Sequence, residues 1–216
     1  MDAPVTDPFS VGGSVALYRR DGYGKNKLTG EEHYNKDVDA ARFSAEWRPA
    51  DALLFRLAAD WVQDTSNARH GHREAPGAGL TAGEPVLKNI YDTRGGIGSD
   101  NRVETSGVSL LAQWALNDVF TLKSITAYRE GDTDTVIDFD NSPRPALDVP
   151  GLYADRQFTQ ELQLLFEGQR WQGVAGLFYL DAMARGKFDT IVGLINTTIA
   201  TSGQVDTESG AALAGV

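Results

Sequence analysis

The sequence has no cysteine, two methionines and three histidines among its 216 residues. Without cysteine the chain has no disulfide framework, no thiol nucleophile and no thiolate metal site. No stretch of eighteen apolar residues is present that could cross a bilayer as a helix. Basic residues are outnumbered by acidic ones, 20 to 30, which gives a net charge of −10. Phosphate binding needs a concentrated basic face, so this balance argues against a nucleic-acid partner.

Recognisable catalytic arrangements are missing as well. The three histidines all precede residue 73, which leaves no credible Ser/His/Asp order. The glycine-rich stretches at 12–13 and 95–98 are not followed by the Lys-Ser or Lys-Thr pair of a phosphate-binding loop. The many carboxylates fall into no recognisable pocket. We predict that the protein is not an enzyme and has no cofactor.

Two short stretches resemble metal-binding sequences. His70-Gly71-His72 places two imidazoles on one side of an extended segment, but no third ligand is close to it in the sequence. The acidic stretch at 132–141 resembles a calcium loop, but it lacks the glycine and the distal glutamate of an EF-hand. We interpret both stretches as solvated surface loops and predict no metal site.

Alternation of apolar and polar residues is the strongest positive signal. In the segment 52–64, apolar residues take every second position: Leu53, Phe55, Leu57, Ala59 and Trp61. The segment 41–48 repeats the pattern, and residues 49–51 join the two as a tight turn. A period of two predicts strands with one apolar face. Further strands are predicted at 10–20, 108–116, 119–130, 157–166 and 171–184, with a last one from Val205 onward.

The lengths of the connections alternate along the chain. Short turns are predicted at 49–51, 117–118 and 168–170, and long connections at 21–38, 65–102, 131–154 and 185–204. Short turns on one rim and long loops on the other are typical of outer-membrane barrels. The segments are about ten to fourteen residues long, enough for a tilted membrane strand, and all four tryptophans lie near strand ends. We predict an all-β chain: an antiparallel up-and-down meander of about eight strands that forms part of a transmembrane β-barrel.

Several phrases of the sequence recur together in one family of barrel proteins. Residues 20–26, Arg-Asp-Gly-Tyr-Gly-Lys-Asn, with Thr29-Gly30 resemble an early barrel loop, and Ala-Ala-Arg at 40–42 resembles the start of the next strand. Leu-Lys-Ser-Ile-Thr-Ala-Tyr-Arg at 122–129 is similar to a second phrase. Phe-Thr-Gln-Glu-Leu-Gln-Leu at 158–164, continued by Val-Ala-Gly-Leu-Phe-Tyr at 174–179, is similar to a third. Together they resemble the TonB-dependent receptors over roughly residues 10–185.

The resemblance implies a receptor that imports a siderophore or another scarce nutrient across the outer membrane of Gram-negative bacteria. Its implied partners are outer-membrane lipid, a small molecule such as a ferric siderophore, and the TonB energy-transducing complex, which acts through a plug domain. Nothing in residues 1–216 resembles the plug or the TonB box, and the last residues lack the aromatic end of a completed barrel. Such transporters have about 22 strands. We therefore expect a partial barrel domain over 1–216 that is not transport-competent alone.

Polar residues opposite the apolar face are the candidates for substrate contact, because they point into the lumen if the apolar face meets lipid. These candidates are Arg42, Glu46, Arg56, Asp60, Gln113, Thr159, Glu161 and Gln163. Hydration of the lumen and hydrogen bonding to a plug are their alternative role. By analogy with the family, ligand capture belongs to the loops, which places the connection 65–102 nearest to the substrate.

Two other interpretations of the sequence stay open. A soluble β-sandwich binding module would pack the same apolar faces against each other in a core. A translated, nonfunctional remnant of a receptor gene is the third possibility. Partition between detergent and buffer separates the sandwich from the barrel, because only a barrel turns its apolar face to lipid.

Overall fold

The computed structural model describes the backbone at residues 2–194 and 197–215 and the side chains from residue 5 to residue 193. Strands account for most of the described chain. They are β1 (Asp2–Thr6), β2 (Phe9–Arg20), β3 (Gly24–Lys25), β4 (Glu32–His33), β5 (Lys36–Ala50), β6 (Leu53–Asp64), β7 (Asn101–Ala115), β8 (Phe120–Asp138), β9 (Asp148–Glu167), β10 (Gln172–Leu194) and β11 (Thr197–Gly215).

One antiparallel sheet contains nine of these strands. Their order is β1-β2-β5-β6-β7-β8-β9-β10-β11, and every strand pairs with its neighbours along the chain, while β3 and β4 form a separate two-stranded hairpin. The predicted nearest-neighbour meander is confirmed, with β1 added to the eight predicted strands. That addition is five residues long and contains Pro4, which suits the edge of a sheet because proline cannot donate to a ladder.

From β2 to β10, short and long connections alternate as the sequence predicted. The strand pairs β5–β6, β7–β8 and β9–β10 are joined by residues 51–52, 116–119 and 168–171. In the second of these turns, the Asn117 side-chain oxygen accepts hydrogen bonds from the amides of Val119 and Phe120, both at 2.9 Å. An asparagine that caps its own turn fixes a tight reversal. At the opposite rim, residues 21–35, 65–100 and 139–147 connect the strands of the sheet.

Two of the predicted long loops are wrong in extent. Most of 131–154 is strand, because β8 runs to Asp138 and β9 starts at Asp148. Within 185–204, β10 continues to Leu194 and β11 begins at Thr197. Glycine, aspartate and asparagine in these stretches suggested loops. The paired strands there extend past the alternating segments of the sequence, so no period of two marked them as strands.

No described helix is long and apolar enough to cross a membrane. The single helical turn in the described part of the chain is the 3₁₀ turn Gly79–Thr81, which lies in the connection between β6 and β7.

The two faces of the sheet differ in chemistry. The register pairs Ala45 with Leu57 and Leu57 with Leu110, so apolar positions line up across β5, β6 and β7. As predicted, one face carries Phe43, Phe55, Leu57, Trp61, Leu110 and Trp114, which we call the apolar band. The polar face carries Arg42, Glu46, Arg56 and Asp60, in register with one another. Phe55 and Arg56 therefore lie on opposite sides, as alternation along a strand requires.

The apolar band continues to β10 and ends in aromatic residues at both rims. Near the short turns these residues are Trp47, Trp114, Phe120 and Phe166, and near the long loops they are Trp61, Tyr128, Phe158 and Tyr179. On the loop side the aromatic groups contact acids beyond them: the Trp61 indole donates to Glu104 at 3.0 Å and the Tyr128 hydroxyl to Glu130 at 3.0 Å. Amphipathic rings of this kind mark a boundary between apolar and aqueous surroundings.

Candidate functional site

The long connections at one rim pack together, and we call the segments 21–35, 65–100 and 139–147 the loop cluster. Nearly all the buried side chains of the described residues lie in it or at its edges, and most are polar. They include Asn26, His33, Ser66, Ala68, His70, Asp92, Thr93, Ser99 and Ser142. The loop cluster is therefore an ordered body held by hydrogen bonds.

The first contact within the loop cluster joins residues 25–27 to residues 92–95. Asn26 is fully buried. Its side-chain nitrogen, Nδ2, donates to the Gly95 carbonyl at 2.8 Å, and its side-chain oxygen accepts from the Leu28 backbone amide at 2.8 Å. Backbone bonds reinforce this contact, with the Lys27 amide donating to the Thr93 carbonyl at 2.8 Å. The Lys27 ammonium also lies 2.8 Å from the Asp92 carboxylate, which is buried.

A pair of buried histidines, His33 and His70, lies next to that contact, with His70 beside Gly95. The rings of His33 and His70 meet edge to face with centroids 4.5 Å apart, and both are buried. His33 Nδ1 lies 3.1 Å from the Ala68 carbonyl oxygen. Burial lowers the pKa of both, that of His70 to about 4, so both rings are neutral at neutral pH. The prediction of a solvated loop at His70 is wrong, because residues 21–35 fold over it.

Three tyrosines form the outer surface of the same region. Tyr23 stacks on Tyr34 with centroids 5.0 Å apart, and Tyr91 meets Tyr23 edge-on at 4.9 Å. The Arg20 guanidinium lies 5.2 Å from the centre of the Tyr23 ring, within the range of a cation–π contact. About half of Tyr23 and 43% of Tyr91 remain exposed, so the group presents aromatic faces and one cation to the surroundings. Sequence reasoning missed it, because its members lie up to 68 positions apart.

Arginine side chains attach the third segment to the second. Arg73 donates to the Asp140 carbonyl, and Arg144 donates to the Leu80 carbonyl at 2.9 Å. Gly96 lies against the same segment, where a Cβ would stand 2.8 Å from the Pro143 carbonyl oxygen. Only glycine allows that approach.

Three aspartates lie together where β8 and β9 open into the third segment. One carboxylate oxygen each from Asp138, Asp140 and Asp148 lies within 4.8 Å of the others. Asp138 and Asp148 are opposite one another in the ladder, and each is 4% exposed. Burial and the neighbouring carboxylates raise the pKa of Asp138 to about 6 and that of Asp148 to about 7. The prediction of a hydrated loop at 132–141 is therefore wrong for Asp138.

The eight predicted substrate-contact residues share the polar face of the sheet but do not converge on one pocket. Arg42 is opposite Asp60 and Glu46 is opposite Arg56, while Gln113 pairs through Lys123 with Gln163. Thr159, Glu161 and Gln163 lie on the same side two positions apart. Several of them already bind one another on the polar face: Arg56 forms an ion pair with Glu46 at 2.6 Å, and Gln163 donates a hydrogen bond to Glu161 at 2.5 Å. The register confirms the shared face, and substrate contact stays a prediction.

Arg129, which the sequence did not single out, lies on the polar face in register with Asp60. Arg129 reaches across β7 and pairs with Asp60 at 2.6 Å. The residue between them in the row is Gly107, where a Cβ would stand 3.1 Å from two carbon atoms of the Arg129 side chain. The missing side chain at Gly107 thus opens the path between the two charges.

These features define the wall of a β-barrel: an antiparallel meander with unequal rims, one apolar and one polar face, and aromatic borders. Among solved structures, the chain is similar to the ferric yersiniabactin uptake receptor FyuA from Yersinia pestis, with a TM-score of 0.62 and 19% sequence identity. The similarity covers 96% of this chain and 31% of that one, so the chain spans under a third of the receptor's length. The similarity confirms the fold, an antiparallel meander that forms part of a β-barrel. No family model and no curated protein matches the sequence.

Proposed function

We propose that this chain is part of the membrane-spanning wall of a TonB-dependent outer-membrane receptor that imports a ferric siderophore or another scarce nutrient. The whole receptor would supply further strands beside β1 and β11, and a plug through which the TonB complex acts. The likeness to an uptake receptor supports transport as the role. The polar face would then line the lumen, with Arg42, Glu46 and Arg56 among the groups beside the passing ligand.

The observation that carries this proposal is the exposed, bordered apolar band. Large apolar side chains on it are open to the surroundings: Phe43 is 45% exposed, Leu110 44% and Trp114 51%. On β9 the band runs from Phe158 to Phe166, about 26 Å of strand at ~3.3 Å per residue. At the usual tilt of about 40° this length corresponds to about 20 Å of depth, close to the apolar height of outer-membrane barrels. Lipid is the solvent that suits such a face.

The loop cluster supports ligand capture at the outer rim. It lies at the opposite end of the sheet from the short turns, which is the extracellular end in outer-membrane barrels. Its exposed Tyr23, Tyr91 and Arg20 offer aromatic and cationic contacts to a ligand. The connection 65–100 contributes Tyr91, which supports the proposal that this loop takes part in ligand capture.

The soluble sandwich is disfavoured by the same band. A sandwich needs a second sheet packed about 10 Å from the first. The described residues contain one nine-stranded sheet and one hairpin of two-residue strands, which is too small to cover the apolar face.

Deletion of the coding segment for this chain tests the proposal in the source bacterium. Under iron limitation we expect the deletion strain to lose accumulation of at least one radiolabelled ferric siderophore from a panel, with full recovery from a plasmid copy. A tonB deletion should give the same loss. Unchanged accumulation of every siderophore and every other nutrient in the panel would overturn the proposed import role.

A further inference from the structure

We propose that Asp138, Asp140 and Asp148 bind one Ca²⁺ ion, which fastens the connection 139–147 to the rest of the loop cluster. The ligand chemistry is that of a hard divalent cation held by carboxylate oxygen atoms. This site is separate from the polar face and from the tyrosine surface, and it does not depend on the transport role proposed above.

The geometry of the three carboxylates suits a single ion. Ca²⁺ binds oxygen at 2.3–2.6 Å, so two oxygen atoms on opposite sides of the ion stand about 5 Å apart. The three aspartates each place one oxygen within 4.8 Å of the others, which fits inside that span. Two of them, Asp138 and Asp148, face each other across the β8–β9 ladder. Like charges directly opposite in a ladder repel, so a bridging cation removes a conflict that the fold creates.

A second observation points to a missing ligand. Only 4% of Asp148 is exposed, and no group donates a hydrogen bond to its Oδ1 atom. No described lysine, arginine or histidine forms an ion pair with any of the three carboxylates. A buried carboxylate is ordinarily paired, hydrogen-bonded or bound to metal. Because Asp148 Oδ1 has neither an ion pair nor a hydrogen bond, a bound cation would supply the partner that it lacks.

The other two carboxylates are already oriented for binding. Asp138 accepts hydrogen bonds from the Gly96 amide at 3.0 Å and from the Asn141 amide at 2.5 Å. Asp140 accepts from the Leu147 amide at 2.7 Å and from the Ser142 hydroxyl. Each carboxylate oxygen has two lone pairs, so one bond to an amide leaves a site for the ion. Such outer contacts fix metal ligands in place, as they do in established metal centres.

Calcium fits this donor set better than other common cations. The three donors are all carboxylates on protein, whereas Mg²⁺ keeps several waters and is rarely enclosed by protein ligands alone. Zinc and copper favour imidazole or thiolate, and no histidine joins the three aspartates within the described residues. Backbone carbonyls and waters would have to supply the rest of the six to eight ligands that Ca²⁺ requires.

Calorimetric titration of the detergent-solubilised chain with CaCl₂ tests the site. We expect one ion per chain with a Kd of about 10⁻⁴ to 10⁻³ M, the range of weak calcium modules, and a much weaker response to MgCl₂. Asp148→Asn should reduce the Ca²⁺ affinity at least tenfold. Asp134→Asn removes the same charge from an exposed position of β8 and should leave the affinity unchanged.

A second readout guards against a folding defect in the variant. In EGTA, Asp148→Asn should melt at the same temperature as the parent or above it, because the substitution removes repulsion. Only the parent and Asp134→Asn should then gain thermal stability and resistance of the 65–100 connection to protease when Ca²⁺ is added. The inference is overturned if the parent chain shows neither binding heat nor protection at 10 mM Ca²⁺, or if Asp148→Asn retains both.

Discussion

The sheet exposes large apolar side chains, whereas the loop cluster buries polar ones. In the sheet, leucine, phenylalanine and tryptophan are exposed, and Leu54 is its single buried large apolar side chain among the described residues. In the loop cluster, asparagine, histidine and aspartate are buried and held by side-chain and backbone hydrogen bonds. One chain thus follows two sets of burial rules.

Under the proposed membrane role, the difference reflects the solvent that each region meets. A water-soluble protein buries large apolar groups and keeps polar groups hydrated or paired. The apolar band does the reverse, which is stable only where lipid or detergent covers it. In the loop cluster most buried side chains are polar, so hydrogen bonds and ion pairs give it order. The boundary between the regimes is the row formed by Trp61, Tyr128, Phe158 and Tyr179.

Removal of detergent should produce the largest effect. The chain of 216 residues then exposes its apolar band to water, and β1 and β11 each have one neighbour in the described sheet. Exposed strand edges and an apolar face both promote association. We expect polydisperse oligomers by light scattering in buffer and a defined species in detergent. A detergent-free, monodisperse monomer would contradict the assignment of the band to lipid.

A charge placed in the apolar band should have the next largest effect, a loss of folding free energy in lipid vesicles. Leu57→Arg is expected to destabilise folding into lipid vesicles by about 2–4 kcal/mol, the cost of arginine near the bilayer midplane. Urea titration in vesicles measures it. Ala58→Arg, one position along on the polar face, is the matched control and should cost much less. Equal costs for the two variants would mean that the two faces meet the same solvent.

Loss of a buried polar contact should loosen the loop cluster and leave the sheet intact. Asn26→Ala removes the hydrogen bond to the Gly95 carbonyl and leaves buried backbone groups without partners, at a local cost of about 1–3 kcal/mol. Hydrogen exchange should become faster at 92–95 and stay unchanged in β6 and β7. Lys88→Ala, at an exposed position of the same connection, serves as the control. Faster exchange throughout the sheet would show that the two regions unfold together.

The smallest expected effect concerns the Asp60–Arg129 pair. Gly107→Val fills the space through which Arg129 reaches Asp60 and should remove their interaction, worth about 0.2–1 kcal/mol at an exposed site. A double-mutant cycle with Asp60→Asn and Arg129→Gln measures the coupling in both backgrounds. Coupling that persists in the Gly107→Val background would show that the glycine plays no part in the pair.

The apolar band was predictable, and the loop cluster was not. A sheet with one apolar face imposes a period of two on its strands, so Phe55, Leu57 and Trp61 indicated both the strand and its face. Beyond the band that constraint ends, which explains why the outer parts of β8 and β10 were mistaken for loops. In the loop cluster the contacts are distant: Asn26 meets Gly95, and Asp148 meets Asp138 only because β8 and β9 pair. No periodic signal records such contacts.

The absence of cysteine allows the central claim to be tested by site-specific labels without background. Nitroxide labels on Leu57→Cys and Ala58→Cys, in vesicles that contain the chain, report access to lipid-soluble oxygen and to a water-soluble nickel complex. The account predicts that the label at 57 is reached by oxygen and protected from nickel, and that the label at 58 shows the opposite. If both labels are equally accessible to nickel, the apolar band does not face lipid and the chain is not the wall of a membrane barrel.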